Sequence, residues 1–339
     1  MIHLRIVVLS NVSAQVLELL KGTGSVCNLI FLEGAAYKPV GDVILCDVAK
    51  EDASVVISDL RELEVPIEGS IAIEHIDSQI SEAAERAEKA AYGAPGDAVV
   101  WEEVEARTSE NTELNGNFIA FMVLACLIGC VGVILDSPIL IIGAMVVGPE
   151  FGPIAGLCVA VVQRRRDVGR RSLTALAVGF PLGIVAAFGL AIISKEAGLI
   201  DAGFSASEHP NTYFISHPDA FSFIVAYVAG TAGVLSLTSS KSGALIGVLI
   251  SVTTIPAASN VGVAAAYGDW GEWAGAIAQL AVNLAAIFLG GIGTLYIQRR
   301  LYQRRRRLHL SDNAREAAGL PIGHSRRRPE PPGGEPPAV

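Results

Sequence analysis

Six apolar segments, at roughly 117–135, 138–162, 172–194, 219–238, 242–266 and 273–297, decide most of what this chain can become. Each approaches the roughly 20 residues that an α-helix needs to cross a bilayer core. Water is absent there, so every backbone N–H and C=O must find a partner within the protein, and helices are the form that achieves this locally. The expected class is an α-helical polytopic membrane protein with six spans. The second span holds an anomaly. GAMVVGPEFGPIAG (143–156) places Gly148, Pro149, Glu150, Gly152 and Pro153 close together inside an apolar run. Helix breakers and a carboxylate at membrane depth survive where the backbone is buried in protein or lines a water-filled cavity.

The two halves of the chain are unlike. Of 339 residues 51% are hydrophobic, with a mean hydropathy of +0.48. Residues 1–116 carry 8 Lys/Arg against 21 Asp/Glu, and the remainder 17 against 13. The formal net charge of −9 is thus an average and gives no basis for a nucleic-acid partner. Positive charge orients the membrane half. The 163–171 loop holds Arg164, Arg165, Arg166, Arg170 and Arg171, the segment after the last span holds Arg299, Arg300 and Arg304 to Arg307, and Lys241 lies on the same side. Lys195 alone faces them from the other side, where Asp136, Glu196, Asp201, Glu208, Asp219, Asp269 and Glu272 collect. The expected location is the bacterial cell membrane, multi-pass, with both termini cytoplasmic. Residues 298–339 read as a basic cytoplasmic tail, expected to be disordered for its Pro, Gly and Arg content. No basic, then briefly apolar, leader opens the chain, so a cleaved signal is not expected.

The first half reads as soluble. HLRIVVLS (3–10), VCNLIFLEG (26–34), DVILCDVAK (42–50) and GSIAIEHI (69–76) are strand-like. Val12, Val16, Leu19 and Leu20, and then Ala53, Val56, Ile57, Leu60 and Leu63, recur at helical spacing. The order is βαββαβ, which predicts a ferredoxin-like α+β domain over residues 1–76. A helical linker and juxtamembrane helix, with Trp101 and Val104 on one face, would fill 77–116. Gly22 and Gly24 suit a helix C-cap better than a nucleotide loop. The five cysteines form no metal-ligand pattern, and Cys126 and Cys130 share a helix face as small apolar groups.

Sliding the chain by 104 residues lays the first three spans on the last three. Ile142-Gly143 falls on Ile246-Gly247, Leu176-Ala177-Val178 on Leu280-Ala281-Val282, and GPEFGP (148–153) on VTTIPA (252–257). Each half would have an odd number of spans and so opposite orientations. The prediction is a 3+3 inverted repeat with broken second and fifth spans, a layout of secondary transporters. The candidate substrate or ion pathway comprises Gly148, Pro149, Glu150, Gly152 and Pro153 on one break, Thr253, Thr254, Pro256, Ser259 and Asn260 on the other, and Gln279 and Asn283 one turn apart on span six. Helix–helix hydrogen bonding is the competing account of the hydroxyls and amides. The expected function is a transporter or channel for a small polar solute or ion, cation- or proton-linked, with a cytoplasmic regulatory domain. The alternative is a non-transporting membrane scaffold or sensor whose broken helices form an oligomer interface. With no HExxH, GxSxG or paired intramembrane acids, an enzyme is not expected. Neither is a cofactor or a metal; His209, His217, Asp201 and Asp219 share an outer loop without ligand spacing. The expected partners are the lipid bilayer, a small solute or ion, and further copies of the chain in a homo-oligomer.

From Asp97 to Arg305 the sequence resembles a bacterial membrane-protein family catalogued as domain of unknown function 389, the uncharacterised hydrophobic-domain proteins. The resemblance is carried by DAVVWEEV (97–104), DSPILIIGAMVVGPEFGPIAGLCVAVV (136–162), HPDAFSFIVA (217–226), LSLTSSKSGALIGVLISVTTIPAASNVGVA (235–264) and LAVNLAAIFLGG (280–291). It implies an integral membrane protein and brings no activity with it.

Overall fold

A computed structural model describes residues 1–76, 78–91, 99–199, 211–238 and 244–325. The chain forms two compact units, Met1–Glu103 with Arg300–Val339, and Val104–Arg299. The first unit opens with β1 (Ile2–Val8), α1 (Ser10–Gly22), β2 (Val26–Tyr37), β3 (Val40–Val48), α2 (Lys50–Glu62), the single turn α3 (Val65–Glu68) and β4 (Ser70–His75). Burial alternates along β1, so that Ile2, Leu4, Ile6 and Val8 share one face. They pack with Val16, Leu19 and Leu20 of α1 and with Ala53, Val56, Ile57 and Leu60 of α2 in one core. The four strands form an antiparallel sheet in the order β2-β3-β1-β4. Asp47 on β3 accepts hydrogen bonds from His3, Asn28 and Gln79 at 2.7–2.9 Å. Burial opposes ionisation of this carboxyl, but the three bonds outweigh it and hold it below the usual range. Two helices follow, α4 (Glu82–Ala90), capped by Ser81, and α5 (Trp101–Asn111), on which Trp101 and Val104 are buried as their spacing predicts.

The second unit is helical: α6 (Gly116–Ile134), α7 (Pro138–Val147), α8 (Phe151–Gln163), α9 (Arg166–Glu196), α10 (Ala220–Thr238), α11 (Ala244–Tyr267) and α12 (Trp270–His309). Among the described residues α6, α9, α10 and α12 are long and apolar enough to cross a membrane, and α7 with α8 makes a fifth crossing if the bent pair is one span. Many large apolar side chains point outward, among them Phe121, Ile139, Val146, Val185 and Phe221. Water would make so apolar an exterior costly, whereas lipid suits it. Where this exterior stops, helices meet backbone to backbone. A Cβ on Gly230 of α10 would overlap the Ile287 backbone, and one on Gly290 of α12 the Tyr227 carbonyl.

Two expectations need correction. The segment expected to form a broken fifth span is not broken: α11 runs continuously with Pro256 in its interior. The second span does break, by 55° between α7 and α8. The difference lies in the residue before each proline. Gly148 takes an extended conformation, φ −62° and ψ 127°, the bias that a following proline imposes and that ends a helix. Ile255, before Pro256, stays helical, and a lone proline then removes one hydrogen bond without ending the helix.

The tail expected to be disordered from residue 298 is folded through residue 325. The last residues of α12 and a short α13 (Asn313–Ala317) belong to the first unit. Ala318 and Leu320 enter its hydrophobic core. The arginines that suggested disorder are counter-ions. Arg306 reaches Asp59 at 2.5 Å and Glu62 at 2.6 Å, Arg315 bonds Asp59 and, at 2.8 Å, Glu62, and His309 approaches Asp59 at 2.8 Å. The side chains of Asp59 and Arg315 are fully buried. Bare buried charges are prohibitive, so each of these segments presupposes the other.

Candidate functional site

The break in the second span is built by composition. Gly148 closes α7, Pro149 supplies no N–H, and Glu150 is the N-cap of α8, whose first turn holds Gly152 and Pro153. Pro153 is tolerated there because the N–H groups of a first helical turn have no intrahelical acceptor. The carbonyls ending α7 lose partners for the same reason. The Glu150 carbonyl accepts the Ile154 N–H at 3.1 Å and so starts α8. Its carboxylate is fully buried and accepts a 2.8 Å hydrogen bond from Thr254 Oγ1 of α11. A Cβ on Gly148 would clash with the Glu150 carboxylate and lie 2.8 Å from Ile255 Cγ1. Only glycine at 148 lets this carboxylate fold back against its own break.

The remaining candidates fall into groups. Thr254, Pro256, Ser259 and Asn260 are all buried on α11. Thr253 belongs to the same helix, and its side chain lies outside the described residues. Ser259 Oγ donates to the carbonyl of Ile255 at 2.9 Å or of Cys126 on α6 at 3.2 Å, where Gly129 leaves the space it occupies. That is the helix-joining role weighed against a pathway role. Gln279 Nε2 donates to Asn283 Oδ1 at 3.4 Å along α12, with both side chains buried. Gln279 Oε1 and Asn260 Oδ1 are buried without a hydrogen-bond partner among the described residues.

The chemistry of the break follows from these atoms. A helix N-terminus carries partial positive charge, and at α8 this is met by Glu150 itself. The C-terminal carbonyls of α7 carry partial negative charge beside it. A carboxylate, carbonyl oxygens and a hydroxyl form an oxygen-rich set that suits a hard cation or a proton. In the outer loop, Asp201 and His209 lie outside the described residues. His217 stacks on Tyr213 with ring centroids 3.7 Å apart, and Asp219 caps the Ser222 N–H at 2.6 Å. No group of three metal-ligating side chains occurs among the described residues.

The Asp59–Glu62–Arg306–His309–Arg315 network escaped sequence reasoning. Its signal was present as i,i+3 pairs, Asp59/Glu62 on α2 and Arg306/His309 on α12, but nothing local joins the two.

Comparison with known proteins bears on the second unit. Residues 145–289 match the family described as Domain of unknown function (DUF389). The uncharacterized protein MJ0678 of Methanocaldococcus jannaschii is 24% identical over 194 residues, which cover 57% of this chain and 58% of that protein. The match thus spans less than two thirds of the relative. No solved structure matches the chain. All the candidate pathway residues fall within the matched stretch. The segment that carries the Glu150–Thr254 contact therefore lies within the stretch that matches this family, in agreement with the resemblance read from its sequence.

Proposed function

We propose that the membrane unit is a transporter or channel for a small polar solute or ion, cation- or proton-linked, built as a six-span inverted repeat in the cell membrane. Its first unit would be a cytoplasmic regulatory domain of ferredoxin-like type, a reading supported by the βαββαβ order and the β2-β3-β1-β4 sheet. One observation carries the transport reading. Glu150, a fully buried acid at a helix break, bonds Thr254, which lies 104 residues further on. That separation equals the shift that aligns the two halves of the sequence. Equivalent residues of two pseudo-symmetric halves meet only on the axis relating them, and transporter sites lie at such repeat interfaces near the midplane. An intramembrane acid there has a functional rationale that a lipid-facing one lacks.

The full-length protein reconstituted in liposomes tests this, with H⁺, Na⁺ and K⁺ gradients applied in turn and a trapped dye that reports the ion in question. The expected result is dissipation of at least one gradient faster than in protein-free liposomes, slowed in Glu150→Gln. Rates indistinguishable from protein-free liposomes for all three cations would remove the cation- and proton-linked reading. Complete enclosure of Glu150 also favours a second reading, in which the Glu150–Thr254 bond only pins two helices together. Flux that persists unchanged in Glu150→Gln would select it.

A further inference from the structure

At the turn between α8 and α9 a cavity of about 540 Å³ is lined by Leu157, Ala160, Val161, Arg164, Arg165, Arg166 and Gly169. Its size falls within the roughly 300–1,000 Å³ typical of small-ligand sites. Three consecutive arginines share one wall because the chain reverses through them. Arg164 takes a left-handed conformation, φ 61° and ψ 35°, and Arg165 an extended one. Their roles differ. Arg165 bonds Asp167 at 2.9 Å and pairs with Glu105, so its charge is spent inside the protein. No carboxylate comes within ion-pair distance of Arg164 or Arg166 among the described residues. Both are exposed, so among the described residues the cavity presents two guanidinium groups with no carboxylate partner. The opposite wall is apolar, and Val161, on the outer side of α8, is 52% exposed.

We infer that this cavity binds a phosphate-bearing lipid headgroup. Guanidinium forks match phosphate oxygens in pairs, which an ammonium cannot do. A free phosphate would need the arginines alone. Leu157, Ala160 and Val161 continue from them along α8 and offer an apolar track for the start of an acyl chain. Basic pockets beside membrane helices recognise anionic headgroups by this combination. The site depends on membrane insertion of the second unit and is independent of whether that unit transports anything.

The test is native mass spectrometry of the full-length protein released from detergent, with phosphatidylglycerol, phosphatidylcholine or inorganic phosphate added. Phosphatidylglycerol should be retained in preference to phosphatidylcholine. Arg164→Gln/Arg166→Gln should weaken that retention about tenfold or more, since both guanidinium groups that would face the headgroup phosphate are lost. Both positions are exposed, and unchanged circular dichroism should confirm folding. Arg299→Gln/Arg300→Gln, outside the cavity, should retain the lipid as the wild type does. Equal retention by wild type and the 164/166 variant overturns the site. So does equal loss in the 299/300 variant, which would mark diffuse attraction. Inorganic phosphate that displaces the lipid completely would identify a free-anion site and end the lipid reading.

Discussion

Replacing Arg315 by leucine should loosen a segment that composition alone marks as disordered. The Arg315 side chain is fully buried and donates to Asp59, to Glu62 at 2.8 Å and to the Pro321 carbonyl at 3.3 Å. Without it two carboxylates face a single guanidinium, Arg306, with His309 beside Asp59. Removing one partner of a buried pair costs roughly 3–5 kcal/mol, because the other charge is left in a poorly solvating place. Arg306 still reaches both acids, so the lower end applies, about 3 kcal/mol. At about 1.4 kcal/mol per decade, amide protection in α2 and over residues 313–320 should fall about a hundredfold. Hydrogen exchange with mass spectrometry on the full-length protein reads this directly. Arg307→Gln, at an exposed position of α12, should leave protection unchanged. Adding Glu62→Gln to Arg315→Leu restores one acid to one guanidinium and should recover part of the loss. Protection in Arg315→Leu that stays within about threefold of wild type would refute the argument, since the buried-pair cost predicts far more.

Burial pushes the Glu51 carboxyl above its usual range, so the stability it allows is complete below the unfolded value near 4.3 and is lost as pH rises through the folded value. Glu51→Gln should therefore raise the thermal midpoint of the full-length protein at pH 7 and leave it unchanged near pH 4; a lower midpoint at pH 7 would contradict this. Single cysteines in a background free of native ones should react with an impermeant maleimide from outside at residues 195–198 and be protected at 164–166. The opposite pattern would reverse the proposed orientation. Gly230→Leu drives a side chain into the Ile287 backbone and should cost about 1–3 kcal/mol or more, seen as a lower thermal midpoint in detergent, whereas Gly143→Leu, with open space around it, should not.

Much of this structure was legible from periodicity. Strand alternation at Ile2, Leu4 and Ile6 and the helical stripes of α1 and α2 are local statements about one face, and each face found its core. The break at Gly148-Pro149 was equally legible, because glycine before proline has little reason to stay helical. Reading the same outcome into Pro256 was the error: a proline ends a helix only when the preceding residue leaves it too. The tail was misread for a different reason. The Pro-rich final residues dominate its composition, while Arg306, His309 and Arg315 are ordered by Asp59 and Glu62, acids far earlier in the chain. The meeting of Glu150 with Thr254 was suggested by the repeat shift, but its side-chain geometry required the fold.

On the inverted-repeat reading, the Glu150–Thr254 bond also carries a history. A chain half this long, pairing with an inverted copy of itself, would set each axial residue against its own twin. Glutamate against glutamate forces two acids to share a proton, and threonine against threonine leaves no charge to use. Fusing the copies into one gene lets the twins diverge, one becoming the acceptor and the other its donor. Asymmetry at this point would then be what duplication made available to a symmetric ancestor. The exchange Glu150→Thr with Thr254→Glu should accordingly fold far better than Thr254→Glu alone, which recreates the acidic twins. Equal folding of the two variants would show that the carboxylate and hydroxyl are not interchangeable partners about an axis.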